Sequence, residues 1–509
     1  MKNKFRHTRL ILSLLAASLC FQAAWPQNSV LPSLGDGDGI SLAAERKLGD
    51  RIARELYRDP DYLEDPVLDE YIQRLWAPLV KSAAARGELS PELQERFAWR
   101  ILLGRDRSVN AFALPGGYLG VHLGLIAVVT THDELASVLA HELSHVTQRH
   151  IARSMGEQGK MTPWVIGSLI LGILAASKSA QGAQALVVGG QAAAIQSQLS
   201  YSRDMEREAD RVGYGVMSEA GYDPQGFVGM FGKLQQAAGL NDNGSFPYLR
   251  SHPLTTERIA DMQARLQLNA VPAQPVIDVE QAMLSARARV LSQGNVDAWR
   301  ASTNTSRVNL PNATAATHAG IWYGAALAHM QLKDFANAER SLQNLERTVR
   351  GQAAPARLAK LLRAELAAAQ GRWDAIPPLL ASQDKSAKLD RPELIATAQA
   401  LLHLPASATR TEVLRQLREQ VQNAPLDAQA WNTLANVLAV EGQALPSLRA
   451  EGEAQMARMD WQGAIDRFRA AQDWAKRHQL QAGDHIEASI VDTRLRQAQA
   501  LVREMQAER

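Results

Sequence analysis

Apolar residues recur at three- and four-residue steps from Leu42 to about Ala85, with Leu48, Ile52 and Leu56 followed by Leu68, Ile72, Leu75 and Leu79. That is the period of an amphipathic helix. The period then shortens. Phe97, Trp99, Ile101 and Leu103 alternate as a half-buried strand does, and Asn110-Ala111-Phe112-Ala113-Leu114 is a second extended stretch. Pro115-Gly116-Gly117 turns the chain into a third, Tyr118 to Leu123, so a small sheet is expected. A helix follows. Thr131 and Glu134 fit the capping box S/T-x-x-E ahead of the apolar series Leu135, Val138, Leu139, Leu143 and Val146. It is expected to run unbroken for roughly six turns, to Met155-Gly156.

Beyond it, Trp164 to Ala176 is apolar, Ser177-Lys178-Ser179 interrupts, and Ala183 to Ile195 is rich in Ala, Gly and Val. Each half has about thirteen residues, short of the roughly twenty that cross a bilayer as a helix. The stretch 163–195 therefore predicts a buried or membrane-facing helical hairpin that could act as a lid; two membrane spans are the alternative. From about residue 315 the chain is Ala-rich and helical with spaced aromatics. Trp431-x-x-Leu434-Ala435-x-x-Leu438 matches the first helix of a tetratricopeptide repeat, and Ala464-x-x-x-Phe468 after Asp460-Trp461 matches a second helix. Leu332-Lys333-Asp334-Phe335-x-x-Ala338 and Gln370-Gly371-Arg372-Trp373 read as further junctions. The step from Phe335 to Trp373 is 38 residues, close to the repeat period of about 34. About four repeats are expected, with a plain helical bundle as the alternative; an array would offer a concave surface to a protein partner.

The 509 residues leave room for about two or three domains, and a composition 46% hydrophobic and 21% charged is that of a folded chain. A formal charge of +2 without a basic stripe argues against a nucleic-acid partner. Lys2, Lys4, Arg6 and Arg9 precede an apolar run, Leu10 to Leu19, and small residues at Ala23-Ala24 come before Trp25-Pro26. Residues 1–24 thus read as a signal peptide cleaved near Ala24, with an uncleaved anchor as the alternative. Cleavage removes four basic and no acidic side chains, taking the charge from +2 to −2. Cys20, the one cysteine, lies inside this segment after Leu19, where a lipoprotein needs a small residue. The mature chain would have no disulfide, no cysteine nucleophile and no cysteine-ligated metal, which suits a bacterial periplasm. Residues 25–41 read as a flexible lead-in; Asp36 and Asp38 resemble the start of a calcium loop whose later ligands are missing.

The chemistry lies in His141-Glu142-Leu143-Ser144-His145, the H-E-x-x-H pattern of zinc peptidases. On a helix, residues i and i+4 share a face, so both imidazoles can reach one metal ion. Glu142 is then placed to take a proton from water activated there. A catalytic site needs a third protein ligand. Glu206 is the candidate, in Ser202-Arg203-Asp204-Met205-Glu206-Arg207-Glu208-Ala209-Asp210. Glu206 and Asp210 are again i and i+4: one carboxylate can bind metal while the other accepts a hydrogen bond from a ligand histidine. Glu208 is expected to point elsewhere and be solvated, and an exposed charged face is the bland reading of the whole segment. His252, in Ser251-His252-Pro253 ahead of Arg258, could fill the fourth position and hold an enzyme latent, or merely cap or support the site. His122, His132 and His150 are expected to be ordinary polar positions.

H-E-x-x-H followed by S-R-x-x-E-x-x-A-D about sixty residues later resembles the metallopeptidase family of the CAAX prenyl endopeptidase and the heat-shock membrane protease. The resemblance implies His141, His145 and Glu206 as ligands of one Zn2+ per subunit, with Glu142 as base and Asp210, which matches the family's aspartate, as the other catalytic residue. Asn110-Ala111-Phe112 and the residues after it resemble the family's strand before the catalytic helix. Such an edge strand can pair with an extended substrate, an ordinary hairpin being the equal alternative. With an export signal and a C-terminal array, the chain is most similar to the family's periplasmic branch. That implies unfolded or misassembled outer-membrane proteins as substrates, and the outer-membrane assembly machinery as a partner of the repeats.

The expected fold is an α+β zincin-type metallopeptidase domain, mostly helical with a small sheet, at 42–270. A connection at 271–314 leads to an all-α tetratricopeptide-like repeat domain at 315–509. The expected function is zinc-dependent endopeptidase. Two alternatives stand beside it: a repeat-based chaperone or assembly factor with a mostly latent zinc site, and an integral membrane protease with 163–195 in the bilayer. Peripheral membrane contact fits the first two readings.

Overall fold

The computed structural model describes residues 40–157, 202–239, 246–269, 278–309, 313–382 and 387–507. The expected signal peptide, the lead-in up to residue 39 and the apolar stretch 163–195 lie outside the described residues. Among the described residues, no helix is long and apolar enough to cross a membrane.

Ser41 caps α1 (Leu42–Tyr57), its side chain accepting from Ala44 N. The helical pattern expected through Ala85 is interrupted. Pro60 disfavours helix at Asp59, and the chain pairs briefly as β1 (Tyr62–Leu63) before α2 (Pro66–Ala85) starts with Asp65 as N-cap and proline at the first position. After α3 (Pro91–Arg96) comes the sheet: β2 (Arg100–Gly104), β3 (Ala111–Leu114) and β4 (Tyr118–His122). Trp99 takes a positive φ of 49°, so the alternation begun at Phe97 becomes a strand only at Arg100. The strand order is β1-β2-β4-β3, with β2 and β4 parallel and the outer pairs antiparallel. The turn between β3 and β4 needs glycine: Gly116 has φ +72°, and a side chain there would meet the Arg46 backbone at 2.8 Å.

The motif helix lies beneath β3. After α4 (Leu123–Val128), α5 runs from His132 to Thr147, with Thr131 as N-cap accepting from Glu134 N. The return bond of a capping box goes one residue further back: the Glu134 carboxylate accepts from Thr130 N at 2.6 Å and also holds Lys233. Leu135, Leu139 and Leu143 are fully buried, each contributing about 1.5–3 kcal/mol by burial. The unbroken six-turn helix is not found. Arg149 adopts a positive φ of 52°, and a second helix, α6 (His150–Glu157), starts in a new direction. A non-glycine residue in this region costs roughly 1–2 kcal/mol; the Arg149 side chain is anchored on Glu45 and the Ile40 carbonyl.

Four further helices complete the surroundings: α7 (Arg203–Glu219), α8 (Gln225–Gly239), the single turn α9 (Tyr248–Ser251) and α10 (Thr256–Asn269). α7 and α8 both pack on α5. At Gly213 a Cβ would stand 3.1 Å from the Ala140 carbonyl, so glycine lets α7 approach α5 closely where the two helices present their polar groups.

The remaining described residues form α-helices joined by turns and two short 3-10 segments: α11 (Val279–Leu291), α12 (Val296–Ser302), α13 (Ala315–Gln331), α14 (Phe335–Thr348), α15 (Ala353–Ala369), α16 (Ile376–Leu380), α17 (Arg391–Leu401), α18 (Ala408–Asn423), α19 (Ala428–Val440), α20 (Ala444–Ala457), α21 (Trp461–Arg477) and α22 (Ala482–Ala507). Four of their turns are alike. Lys333, Gly371, Gly442 and Met459 have positive φ, and the next residue's N–H reaches back five residues to His329, Ala367, Leu438 and Gln455 carbonyls, each at 2.9 Å. These are Schellman turns. The step from 442 to 459 is 17 residues, half the period of about 34. Trp431 on α19 and Phe468 on α21 are therefore separated by α20, which packs on both.

The two halves of the chain share one apolar core, which joins Leu68, Leu75 and Leu125 to Met283, Tyr323 and Leu362, and they also meet through charge. Four carboxylates within seven residues, Glu64, Asp65, Asp69 and Glu70, each face a different arginine of the helical half: Arg458, Arg287, Arg391 and Arg357. Arg287, Arg391 and Arg357 also bind Glu365, Asp427 and Glu393 within the helical half.

Candidate metal centre

α5 places His141 and His145 on one face, and α7 brings Glu206 towards them from its first turn, after Ser202 caps the helix by accepting from Met205 N. His252, just past α9, closes the group. One ligand atom from each of these four residues lies within 4.8 Å of every other. His145 Nε2 is 2.9 Å from His141 Nε2, which is 3.3 Å from His252 Nδ1; that atom is 3.0 Å from Glu206 Oε1. All four residues are at most 1% exposed. Imidazole nitrogens and carboxylate oxygens converging on one buried point form a donor set that fits a metal ion.

Glu142 has no exposed surface. Its Oε2 accepts from Ala113 N at 2.8 Å; its Oε1 makes no hydrogen bond among the described residues and lies 3.4 Å from His252 Nε2. The Ala113 bond comes from the outer edge of β3. His122 N donates to the Asn110 carbonyl, so by antiparallel alternation Phe112 also faces β4, and Ala111 and Ala113 face outward. Of Asn110, Ala111 and Phe112, only Ala111 thus directs its backbone away from the sheet. Tyr248 N donates to the Val109 carbonyl, and the Tyr248 ring stacks on His252 with centroids 4.5 Å apart.

Asp210 Oδ1 lies 2.9 Å from His141 Nδ1, the ring nitrogen turned away from the other ligands. Arg258 then binds Asp210 and Glu206. Burial disfavours charge on His141, but the Asp210 and Glu206 carboxylates beside it outweigh burial and push His141 up to about 9. Burial, then the His141 charge, hold His145 well below the usual histidine range. Burial also opposes the Glu206 charge, yet His252 and His141 keep this carboxyl well below its usual value.

Two expectations need correction. Glu208 is not merely solvated: it accepts from Arg153 at 2.7 Å and lies 3.0 Å from His150 Nε2. His150 is no ordinary polar position, since it is fully buried and its Nδ1 lies 2.8 Å from His145 Nδ1. No glycine or proline marks the break at Arg149 that brings it there; five-residue spacing from His145 was the only trace. His122 is held by Ser108, and His132 by Asp278, both away from the cluster.

The model of Peptidase family M48 matches residues 68–266. The chain is 32% identical over 355 residues to the β-barrel assembly-enhancing protease of Escherichia coli K12, covering 66% of this chain and 67% of that one. A Vibrio cholerae serotype O1 relative, which bears the same name provisionally, is 35% identical over 347 residues, 67% and 69% of the two chains. The mitochondrial metalloendopeptidase OMA1 of Arabidopsis thaliana is 32% identical over 198 residues, 38% of this chain and 36% of that one. The buried His/Glu cluster falls within the matched region, and the chain belongs to peptidase family M48, in the group that contains the β-barrel assembly-enhancing proteases.

Proposed function

We propose that the chain is a zinc endopeptidase of the bacterial periplasm that hydrolyses misassembled outer-membrane β-barrel proteins and aids their assembly. The observation that carries this reading is the position of Glu142 between the outer edge of β3 and the His141, His145 and Glu206 cluster. A bound zinc ion would supply Lewis acidity towards a peptide carbonyl and towards water. Glu142 takes the proton of the attacking water and returns it to the leaving amine. Asp210 fixes the ring of His141 through Nδ1 and keeps its other nitrogen on the ligand side. An extended substrate aligns on the outer edge of β3, displacing the Ala113 bond to Glu142 and freeing that carboxylate.

The substrate class follows the names of the relatives, which link them to β-barrel assembly. Export rests on the basic and apolar residues before Ala24. The recurrent Schellman turns support a tetratricopeptide-like array at 315–509, following a peptidase domain at 42–270, that presents substrates and docks on the assembly machinery. Cleavage of an unfolded outer-membrane protein by wild type and by Glu142→Gln tests the reading. The variant should lose at least about a hundredfold in rate, the scale of general-base catalysis, while keeping its metal; equal rates would refute it.

One observation favours a second activity beside proteolysis. His252 Nδ1 lies 3.3 Å from His141 Nε2 and 3.0 Å from Glu206 Oε1, so as a fourth ligand to a bound ion it would hold the resting enzyme latent. In that state the chain acts as an assembly factor.

A further inference from the structure

His141 and His145 are supported differently. His141 turns its second nitrogen to a carboxylate, Asp210, at 2.9 Å. His145 turns its second nitrogen to another imidazole: Nδ1 of His145 and Nδ1 of His150 are 2.8 Å apart, with ring centroids 4.9 Å apart and planes at 76°. Two identical nitrogens at this distance share one proton, so one donates and the other accepts. The far side of His150 decides which. Its Nε2 lies 3.0 Å from Glu208 Oε2, and Arg153 holds the same oxygen at 2.7 Å. An ionised carboxylate only accepts, so His150 Nε2 carries the hydrogen. In neutral His150, Nδ1 is then the acceptor and His145 Nδ1 the donor. His145 Nε2, 2.9 Å from His141 Nε2 and 3.5 Å from Glu206 Oε1, is left with its lone pair on the ligand side.

We propose that His150 is a positioning residue for His145, setting its tautomer and ring orientation through a relay from Arg153 and Glu208. The proposal rests on the metal-binding reading above and extends it to residues outside the ligand cluster. It also gives the positive φ of Arg149 a use: a continuous helix would carry residue 150 round the α5 axis away from position 145, because five residues advance about 500°. The break redirects α6 and lays the His150 ring against His145.

The test is the affinity of the metal-free full chain for Zn2+ and Co2+, by competition with a chromophoric chelator, alongside the thermal melt of the metal-free form. His150→Leu should weaken both ions about 10- to 100-fold, the usual cost of losing such a partner. His150→Asn, whose Oδ1 can accept where Nδ1 stood, should recover most of that loss. A purely structural role would lower the melting temperature with both variants alike and leave affinity in the folded fraction unchanged. The proposal is overturned if His150→Leu binds as tightly as wild type, or if Asn rescues nothing. Should His150→Leu fail to fold, Glu208→Ala at the exposed end carries the test: a several-fold loss of affinity supports the relay, and none overturns it. Wild type that binds neither ion would contradict the metal reading itself.

Discussion

Arg258 meets Asp210 in a two-pronged contact, Nε to Oδ2 at 2.7 Å and Nη2 to Oδ1 at 2.8 Å. Its remaining nitrogen lies 2.7 Å from Glu206 Oε2 and donates to the Pro253 carbonyl at 2.9 Å. One guanidinium thus ties two carboxylates of α7 to the segment that carries His252. Removing it leaves Asp210 and Glu206, each 1% exposed, with His141 as their main shared counter-charge and without the guanidinium's hydrogen bonds. Arg258→Ala should destabilise the metal-free protein by about 3–5 kcal/mol in denaturant melts. Arg258→Lys should not restore it, because an ammonium cannot make the fork. A variant as stable as wild type would show that the contact is incidental.

Metal uptake should strengthen with pH. In the metal-free chain His141 holds a proton up to about pH 9, while His145 is already neutral and Glu206 already charged. An ion must displace the His141 proton, so the apparent affinity should rise about tenfold per pH unit between pH 7 and 9 and level off above. Competition titrations across that range check it; a flat profile would mean that His141 is unprotonated before the ion arrives.

His252→Ala should raise proteolysis of an unfolded substrate several-fold, with metal still bound. The side chain stacks on Tyr248 and closes the cluster, so its loss opens the fourth position without removing the other three ligands. No rise over wild type would rule out latency and leave His252 as a support.

The charged junction between the halves should not be uniform. Arg287 is buried, with Asp65 at 2.7 Å, Glu365 at 2.9 Å and the Tyr323 hydroxyl at 3.0 Å. Arg287→Ala should cost about 3–5 kcal/mol. The Lys47–Glu504 pair has both side chains 53% exposed, and Lys47→Ala should change stability by less than about 1 kcal/mol. Urea melts of the two variants distinguish them.

What the sequence made legible was local. His141 and His145 share a helix face by spacing alone, with Glu142 next to the first, and Glu206 with Asp210 repeats that spacing on α7. β3, β4 and their glycine turn were readable because Pro115-Gly116-Gly117 punctuates two apolar runs. The misses share a cause. β1 is a two-residue strand defined only by its partner Leu103-Gly104, and the break after α5 falls at Arg149, whose side chain is held by Glu45, over a hundred residues away. His150 and Glu208 likewise acquire their partners only through tertiary packing.

The central claim is that His141, His145 and Glu206 hold one catalytic ion. Elemental analysis of purified, folded wild type and Glu206→Ala, after equal exposure to Zn2+ and gel filtration, tests it most directly. The account predicts one zinc per wild-type chain and almost none in the variant. Wild type without zinc, or a variant that retains a full equivalent, would contradict it.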